Sequence, residues 1–200
     1  MVLTTKFNDY TLLEIMLFLI GASGAFSSHF TEFKKRSAES SMLEVKLIIL
    51  LMTANGAPIL LRWLLEGRDA RPVDGGLLLA DGRPLFGPSK TVHGLIAAVV
   101  LTAFVAWLFG WSPLTGCYIA ALAMCGDLLT SFVKRRLAIP ASGIAPGLDQ
   151  VPESLLPLIG VRGVFDLGWA QIFIMVLIFI VLDYVLSFML YHLHIRKHPY

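Results

Sequence analysis

Between Thr91 and Gly126 no side chain carries a formal charge apart from the titratable His93, and the run closes on Asp127 and then Lys134-Arg135-Arg136. One membrane crossing takes ~20 residues, so this run is too long for a single helix and suits a helical hairpin. The break falls at Gly110-Trp111-Ser112-Pro113, with Trp107 and Trp111 as interfacial anchors. A hairpin brings its two ends back to the same side. Lys90 and Lys134 therefore share one membrane face, and the two polar loops that hold them, 62–90 and 137–150, must meet.

The 200 residues are 56% hydrophobic, with a mean hydropathy of +0.75, too apolar for an ordinary soluble domain. The expected fold is all-α: a polytopic membrane helix bundle of five core transmembrane helices plus an N-terminal helix, with two cytoplasmic loops forming the site. Residues 1–41 read as an N-terminal extra helix and connector, and residues 42–200 as the membrane domain. Residues 10–30 are apolar enough to span but are interrupted by Glu14. Ser23-Gly24-Ala25 offers the small residues of a signal-peptide cleavage site, although a retained transmembrane or re-entrant helix is the preferred reading. The next apolar segment, 42–65, contains Ala54-Asn55-Gly56-Ala57-Pro58, where a broken helix is expected, with Asn55 either bonding a neighbouring helix or serving a site. Within 62–90, Leu77 to Leu79 lie between Asp74-Gly75 and Asp81-Gly82, which suits a short hairpin. Residues 152–165 form a short crossing that carries Arg162, and 167–190 a final span with Asp183 inside it. Lys and Arg counts put Lys6, the 62–90 loop, the 134–136 cluster and the basic tail in the cytoplasm, with Lys34, Lys35, Arg36, Lys46 and Arg162 outside, although Lys34-Lys35-Arg36 would prefer the inner side. The expected location is thus an inner (cytoplasmic) membrane, with the site facing the cytoplasm. No basic stripe interleaved with aromatics is present, so nucleic acid is not an expected partner. Cys117 and Cys125 lie eight apart, too far to bond within one helix, and read as free thiols in a helix core.

The chemistry gathers where the long run ends. On a helix, Asp127, Ser131, Lys134 and Arg135 fall on one face, and Asp127 lies ~10 Å deeper than the cations. An acid at that depth is costly and marks a candidate site; the competing reading pairs it with a neighbouring helix for packing. The inner membrane face offers the cations Arg83, Lys90, Lys134, Arg135 and Arg136 and the carboxylates Asp81, Asp127 and Asp149. Gly82, Gly87 and Gly147 could let backbone N–H groups approach a ligand. This mixture fits a polyphosphate with a divalent metal, because Mg²⁺ takes one or two carboxylates and shares the phosphate oxygens. Gly82-Arg83-Pro84-Leu85-Phe86-Gly87 has the two glycines of a P-loop, but Pro88-Ser89 separate the second from Lys90-Thr91, so that assignment is rejected.

Four blocks in order then resemble the CDP-archaeol synthase family, which is related to the CDP-diglyceride synthetases. They are Ala54-Asn55-Gly56-Ala57-Pro58; Phe86-Gly87-Pro88-Ser89-Lys90-Thr91 with Gly94; Gly126-Asp127-Leu128 through Ser131 to Arg136; and Leu148-Asp149-Gln150. The resemblance implies Mg²⁺-dependent transfer of cytidylyl from CTP to a membrane lipid phosphate, giving a CDP-lipid and pyrophosphate. It implies catalytic roles for Asp127, Lys134, Asp149 and Lys90, with Lys90 and the Lys134-Arg135 pair on the triphosphate. Asp127 and Asp149 would be the metal carboxylates, while Asn55, Gly87, Ser89, Thr91, Ser131 and Gln150 would shape the nucleotide site. The partners implied are CTP, a lipid phosphate and the bilayer, and a homodimer is left open.

The chain departs from the archaeal pattern. Where archaeal members read Gly-Asp-Gly-Lys-Thr-Trp-Arg-Gly, it has Gly87-Pro88-Ser89-Lys90-Thr91-Val92-His93-Gly94. Where they read Leu-Asp-Gln-Leu-Asp, it has Leu148-Asp149-Gln150-Val151-Pro152, with Glu153 one position late. These departures resemble bacterial members. A lipid phosphate is already mostly ionised near neutral pH, so no general base is required, and His93 reads as a helix-end polar contact. The alternatives are a membrane transporter of anionic solutes or lipids, suggested by broken helices and intramembrane acids, and a non-catalytic scaffold. Asp183 reads equally as a site contact or a structural pairing.

Overall fold

The computed structural model describes residues 38–65, 71–139 and 147–193. The expected N-terminal helix, Pro140, Gly143 and Pro146 of the second loop, and the basic tail lie outside them. Contacts divide the chain into units Met1–Leu43 and Glu44–Tyr200, and the relationships below belong to the second.

Among the described residues there are five helices: α1 (Ala38–Leu64), α2 (Val92–Leu108), α3 (Pro113–Arg136), α4 (Gln150–Phe165) and α5 (Trp169–His192). Three of them, α1, α3 and α5, are long and apolar enough to cross a membrane. At 1.5 Å per residue, α2 and α4 reach only about 25 Å, short of a ~30 Å hydrocarbon core. The protein is an all-helical integral membrane bundle, with α2 and α4 shorter than full spans.

The expected hairpin is α2–α3. Its turn holds Gly110 at φ 77°, and Ser112 accepts a hydrogen bond from Leu114 N to open α3 with Pro113 in its first turn. Association in lipid has no hydrophobic drive between helices, so small residues that let backbones approach are favoured. Accordingly, Gly94, Ala98, Thr102 and Ala106 form the buried stripe of α2. A Cβ on Gly116 of α3 would lie 2.5 Å from the Thr102 carbonyl oxygen. α3 packs on α2 along one side and on α4 along the other, and Ala54 of α1 meets Ala120 and Ala123 in its centre. The large apolar residues point outward instead: Phe173, Ile174, Val181 and Phe188 of α5 are about half exposed or more, as a lipid-facing surface requires.

Two expectations are corrected here. α1 runs unbroken through Asn55-Gly56-Ala57-Pro58. Pro58 removes one helical hydrogen bond, and the helix absorbs that loss among close neighbours, with Gly94 leaving room for the Pro58 ring. Cys125 is exposed and Cys117 half-buried, so the thiols are free but not in the core.

The connection from α1 to α2 contains the expected hairpin. Leu79 N donates to Arg83 O at 2.9 Å and Leu85 N to Leu77 O at 3.0 Å, around a Leu78–Pro84 bridge. Its base is tied by Val73 N to Lys90 O and Val92 N to Arg71 O.

At the opposite end of the bundle, the Lys46 ammonium donates to Phe109 O at 3.3 Å and sits 5.6 Å from the Trp111 ring. Trp111 in turn stacks on Phe165 at 4.7 Å, and Arg162 lies 4.4 Å over Trp169. Trp111 thus sits at a bundle end, as an interfacial anchor should, while Trp107 is 59% exposed on α2.

A candidate anion and metal site between two loops

Gly126 lets α3 lie backbone to backbone against the start of α4, since a Cβ there would fall 2.8 Å from Glu153 N. That approach carries the next residue, Asp127, into contact with the Glu153 carboxyl group. Lys90 reaches in from the first loop and ion-pairs with Asp127. About two turns along α3, buried Lys134 donates to Asp149 at 2.8 Å. Asp149 precedes α4 and makes no cap bond to it, so its carboxylate is turned to the lysine. Both loops therefore meet in one polar cluster, as the hairpin argument required.

Lys90 keeps its charge. Burial pulls its pKa down, but the carboxylates of Asp127, Glu153 and Asp149 raise it above the ordinary lysine value. The cluster sets the carboxyl groups of Asp127, Asp149, Glu153 and Asp183 beside Lys90, Lys134 and Arg135, with Asp127 and Glu153 hydrogen-bonded to each other. Among the described residues no three His, Cys, Asp or Glu side chains converge into a protein cage. A Mg²⁺ ion takes few protein ligands and completes its shell with phosphate oxygens and water; Asp127 and Asp149 are the carboxylates that could supply them.

The remaining expected residues separate into two groups. Asn55 donates to Asp183 at 2.7 Å and Gln150 donates to the other oxygen of Asp183 at 3.0 Å, so both join the cluster through an acid of α5. Ser131 is buried one turn beyond Asp127, and Ser89 lies partly exposed beside Lys90. Thr91 spends its hydroxyl on the N-cap of α2, accepting from Gly94 N at 3.2 Å. Arg135 is buried, its Nε has no hydrogen-bond partner among the described residues, and its side chain runs beside Gly87.

Three expectations about this surface change. The glycine N–H groups are not open to a ligand: Gly87 N donates to Asp74 Oδ2, Gly147 N to Gln150 Oε1 and Gly82 N to Leu79 O. Arg83 donates to Arg136 O at 2.8 Å, capping the C-terminal carbonyls of α3. Arg136 holds Asp81 and the Pro84 carbonyl, so it clamps the hairpin. Sequence reasoning also missed Asp74, whose carboxylate accepts from Gly76, Phe86 and Gly87 N–H and so shapes the loop ahead of Lys90. The pairing of Asp74 with Gly75 marked a turn but carried no signal of the partners twelve and thirteen residues on.

Residues 111–200 match the CarS-like family, described as CDP-archaeol synthase. The CDP-archaeol synthase of Hyperthermus butylicus is 37% identical over 110 residues, 52% of this chain and 62% of that protein. That of Aeropyrum pernix is 38% identical over 118 residues, 56% of this chain and 64% of its own length. That of Pyrobaculum islandicum is 28% identical over 153 residues and is covered to 91%. The chain thus spans somewhat under two thirds of the first of these relatives. A solved structure described as an intramembrane enzyme for archaeal membrane lipids biosynthesis superposes with a TM-score of 0.62 at 29% identity, over 72% of this chain and 91% of that one. These relatives are archaeal and give no support to the bacterial-type reading. By its helical fold and by the sequence of its last ninety residues, the chain is similar to the CDP-archaeol synthases.

Proposed function

We propose that residues 42–200 form a transferase that moves cytidylyl from CTP to a membrane lipid phosphate, releasing pyrophosphate and leaving a CDP-lipid in the bilayer. The observation that carries this reading is the convergence of Lys90–Asp127 from one loop and Lys134–Asp149 from the other at one end of a membrane bundle. The names of the relatives supply the reaction class.

An oxygen of the lipid phosphate attacks the α-phosphorus of CTP, and the bond to the β-phosphate oxygen breaks, with its electron pair leaving on pyrophosphate. Two anions must approach, so the principal demand is electrostatic. Lys90, Lys134 and Arg135 neutralise the triphosphate and the developing charge on pyrophosphate. Mg²⁺, held by Asp127 and Asp149 with Glu153 alongside, would screen the phosphate oxygens. Asn55, Gly87, Ser89, Thr91, Ser131 and Gln150 surround the nucleotide, Gly87 and Thr91 by shaping the loop. The bilayer presents the acceptor at fixed depth, which turns a bimolecular encounter into a positioned one.

All five helices cross in this reading, α2 and α4 as short spans buried among the others. Arg71, Arg83, Lys90 and Lys134 to Arg136 lie at the site end and Lys46 and Arg162 at the other, and under the positive-inside rule this distribution supports a site that faces the cytoplasm. The transporter alternative loses one of its two supports with the continuity of α1.

The test is purified protein in mixed micelles with CTP, Mg²⁺ and a panel of ester- and ether-linked lipid phosphates, read by mass spectrometry. A CDP-lipid and an equivalent of pyrophosphate are expected from at least one acceptor. Folded protein that neither binds CTP nor yields product from any acceptor overturns the reading.

A further inference from the structure

Asp183 lies in α5, 8% exposed, in a helix whose other buried residues are nearly all apolar. Packing alone does not call for an acid there, because an apolar side chain of similar size would avoid the cost of desolvating a charge. Its two oxygens accept from carboxamides on two other helices: Oδ1 from Asn55 Nδ2 of α1 at 2.7 Å and Oδ2 from Gln150 Nε2 of α4 at 3.0 Å. An ionised carboxylate only accepts, so each amide must turn its NH₂ group toward it.

On the α4 side this decides a chain of contacts. With Nε2 committed to Asp183, Gln150 Oε1 faces Gly147 N and accepts from it at 3.1 Å. That bond closes the turn at Gly147, where φ is 77°, and the turn leads directly to Asp149 on Lys134. Ser154 Oγ, donating to Gln150 O at 2.7 Å, fastens the same residue from within the helix. On the α1 side Asn55 spends an N–H on Asp183, which leaves Oδ1 to meet a donor.

We propose that Asp183 is a positioning residue of this site: by clamping the carboxamides of Asn55 and Gln150 it fixes the turn that presents Asp149 to Lys134. The proposal rests on the transferase reading for its kinetic consequence but not for its structural one.

The experiment uses the full chain in nanodiscs and compares wild type, Asp183→Leu, and the exchange of Asn55→Asp together with Asp183→Asn. Asp183→Leu offers no acceptor, so Gln150 loses its bond on the α4 side and Asn55 its bond on the α1 side, and no turning of an amide restores them. It should raise the KM for CTP about tenfold, the size of the one lost bond to a charged group on the α4 side, with a smaller change in kcat. Backbone hydrogen exchange in residues 147–151 should quicken while α2 keeps its protection. The exchanged pair restores both bonds, since the carboxamide now on α5 donates to the carboxylate now on α1 and still accepts from Gln150. It should recover the protection of 147–151. Unchanged KM together with unchanged exchange in Asp183→Leu overturns the proposal. So does a uniform loss of protection across all the helices that the exchanged pair fails to restore. If wild type neither binds nor turns over CTP, the transferase reading falls, and exchange in 147–151 still decides whether Asp183 holds that turn.

Discussion

Gly126 and Pro152 meet backbone to backbone: a Cβ on Gly126 would stand 2.4 Å from the Pro152 carbonyl oxygen. That oxygen belongs to a helix and cannot swing aside as a side chain would. Gly126→Ala should therefore force α3 and α4 apart, destabilise the protein by about 1–3 kcal/mol as other overpacked cores do, and separate Asp127 from Glu153. Thermal unfolding in detergent and CTP turnover should both fall. Gly163→Ala in α4 is the control, because a Cβ there meets nothing within 4 Å.

The two lysine–carboxylate pairs tie the loops to α3. Lys90→Ala leaves Asp127 beside Glu153 without its cation, and Lys134→Ala does the same to Asp149. Breaking one partner of a buried pair costs about 3–5 kcal/mol, with these partly exposed pairs toward the lower figure. Each variant should lose more than ~100-fold in CTP turnover, equivalent to about 3 kcal/mol. A double-mutant cycle of Lys134→Ala with Asp149→Asn should show strong non-additivity in unfolding.

Arg135 and Arg136 are neighbours with opposite employment. Arg136 clamps Asp81 and the Pro84 carbonyl, and Phe132 lies 5.4 Å beneath its guanidinium. Nε of both is unbonded among the described residues, but Arg135 is the more deeply buried and holds neither Asp81 nor a loop carbonyl. Arg135→Ala should leave the unfolding temperature nearly unchanged and weaken CTP binding at least tenfold. Arg136→Ala should loosen the 71–91 loop, read as faster proteolysis there. Asp81→Ala should do less, because Asp81 is exposed and its ion pair is worth little.

Asp74 ties the loop through three backbone N–H groups. Burial alone would raise its pKa; the bonds from Gly87, Phe86 and Gly76 outweigh that and hold it below the ordinary value of 3.8. A depressed carboxylate stabilises the folded loop fully above the unfolded pKa and ceases to as pH falls through the folded one. Protection of residues 71–91 from hydrogen exchange should thus hold from neutral pH to about pH 4 and decline below it. Asp74→Ala should remove that acid transition and lower protection at every pH.

Much of this arrangement was legible in the chain. The uncharged run from Thr91 to Gly126 is longer than one crossing, so a hairpin returning Lys90 and Lys134 to one side followed from length alone, and α2–α3 forms it. Asp127 at helical spacing from Lys134 announced a buried acid near cations. What the chain did not disclose were partners set by packing between distant helices. Pro58 suggested a broken α1, yet one missing hydrogen bond is tolerated where neighbouring helices surround it. Five cations were expected at the site, but Arg83 and Arg136 answer to carbonyls and to Asp81, which no spacing along the sequence reveals.

Sequence by itself determined that this is a membrane bundle with two polar loops at one end, because hydrophobic run length and charge placement are set by the thickness and polarity of the bilayer. Tertiary structure alone decided who pairs with whom: Glu153 with Asp127, Asp183 with Asn55 and Gln150, Asp74 with the glycine that precedes Lys90. Those pairings depend on a close approach of backbones at Gly126 and Gly116 and on the need of each buried polar group to find a partner. Both are properties of the assembled helices rather than of any one of them.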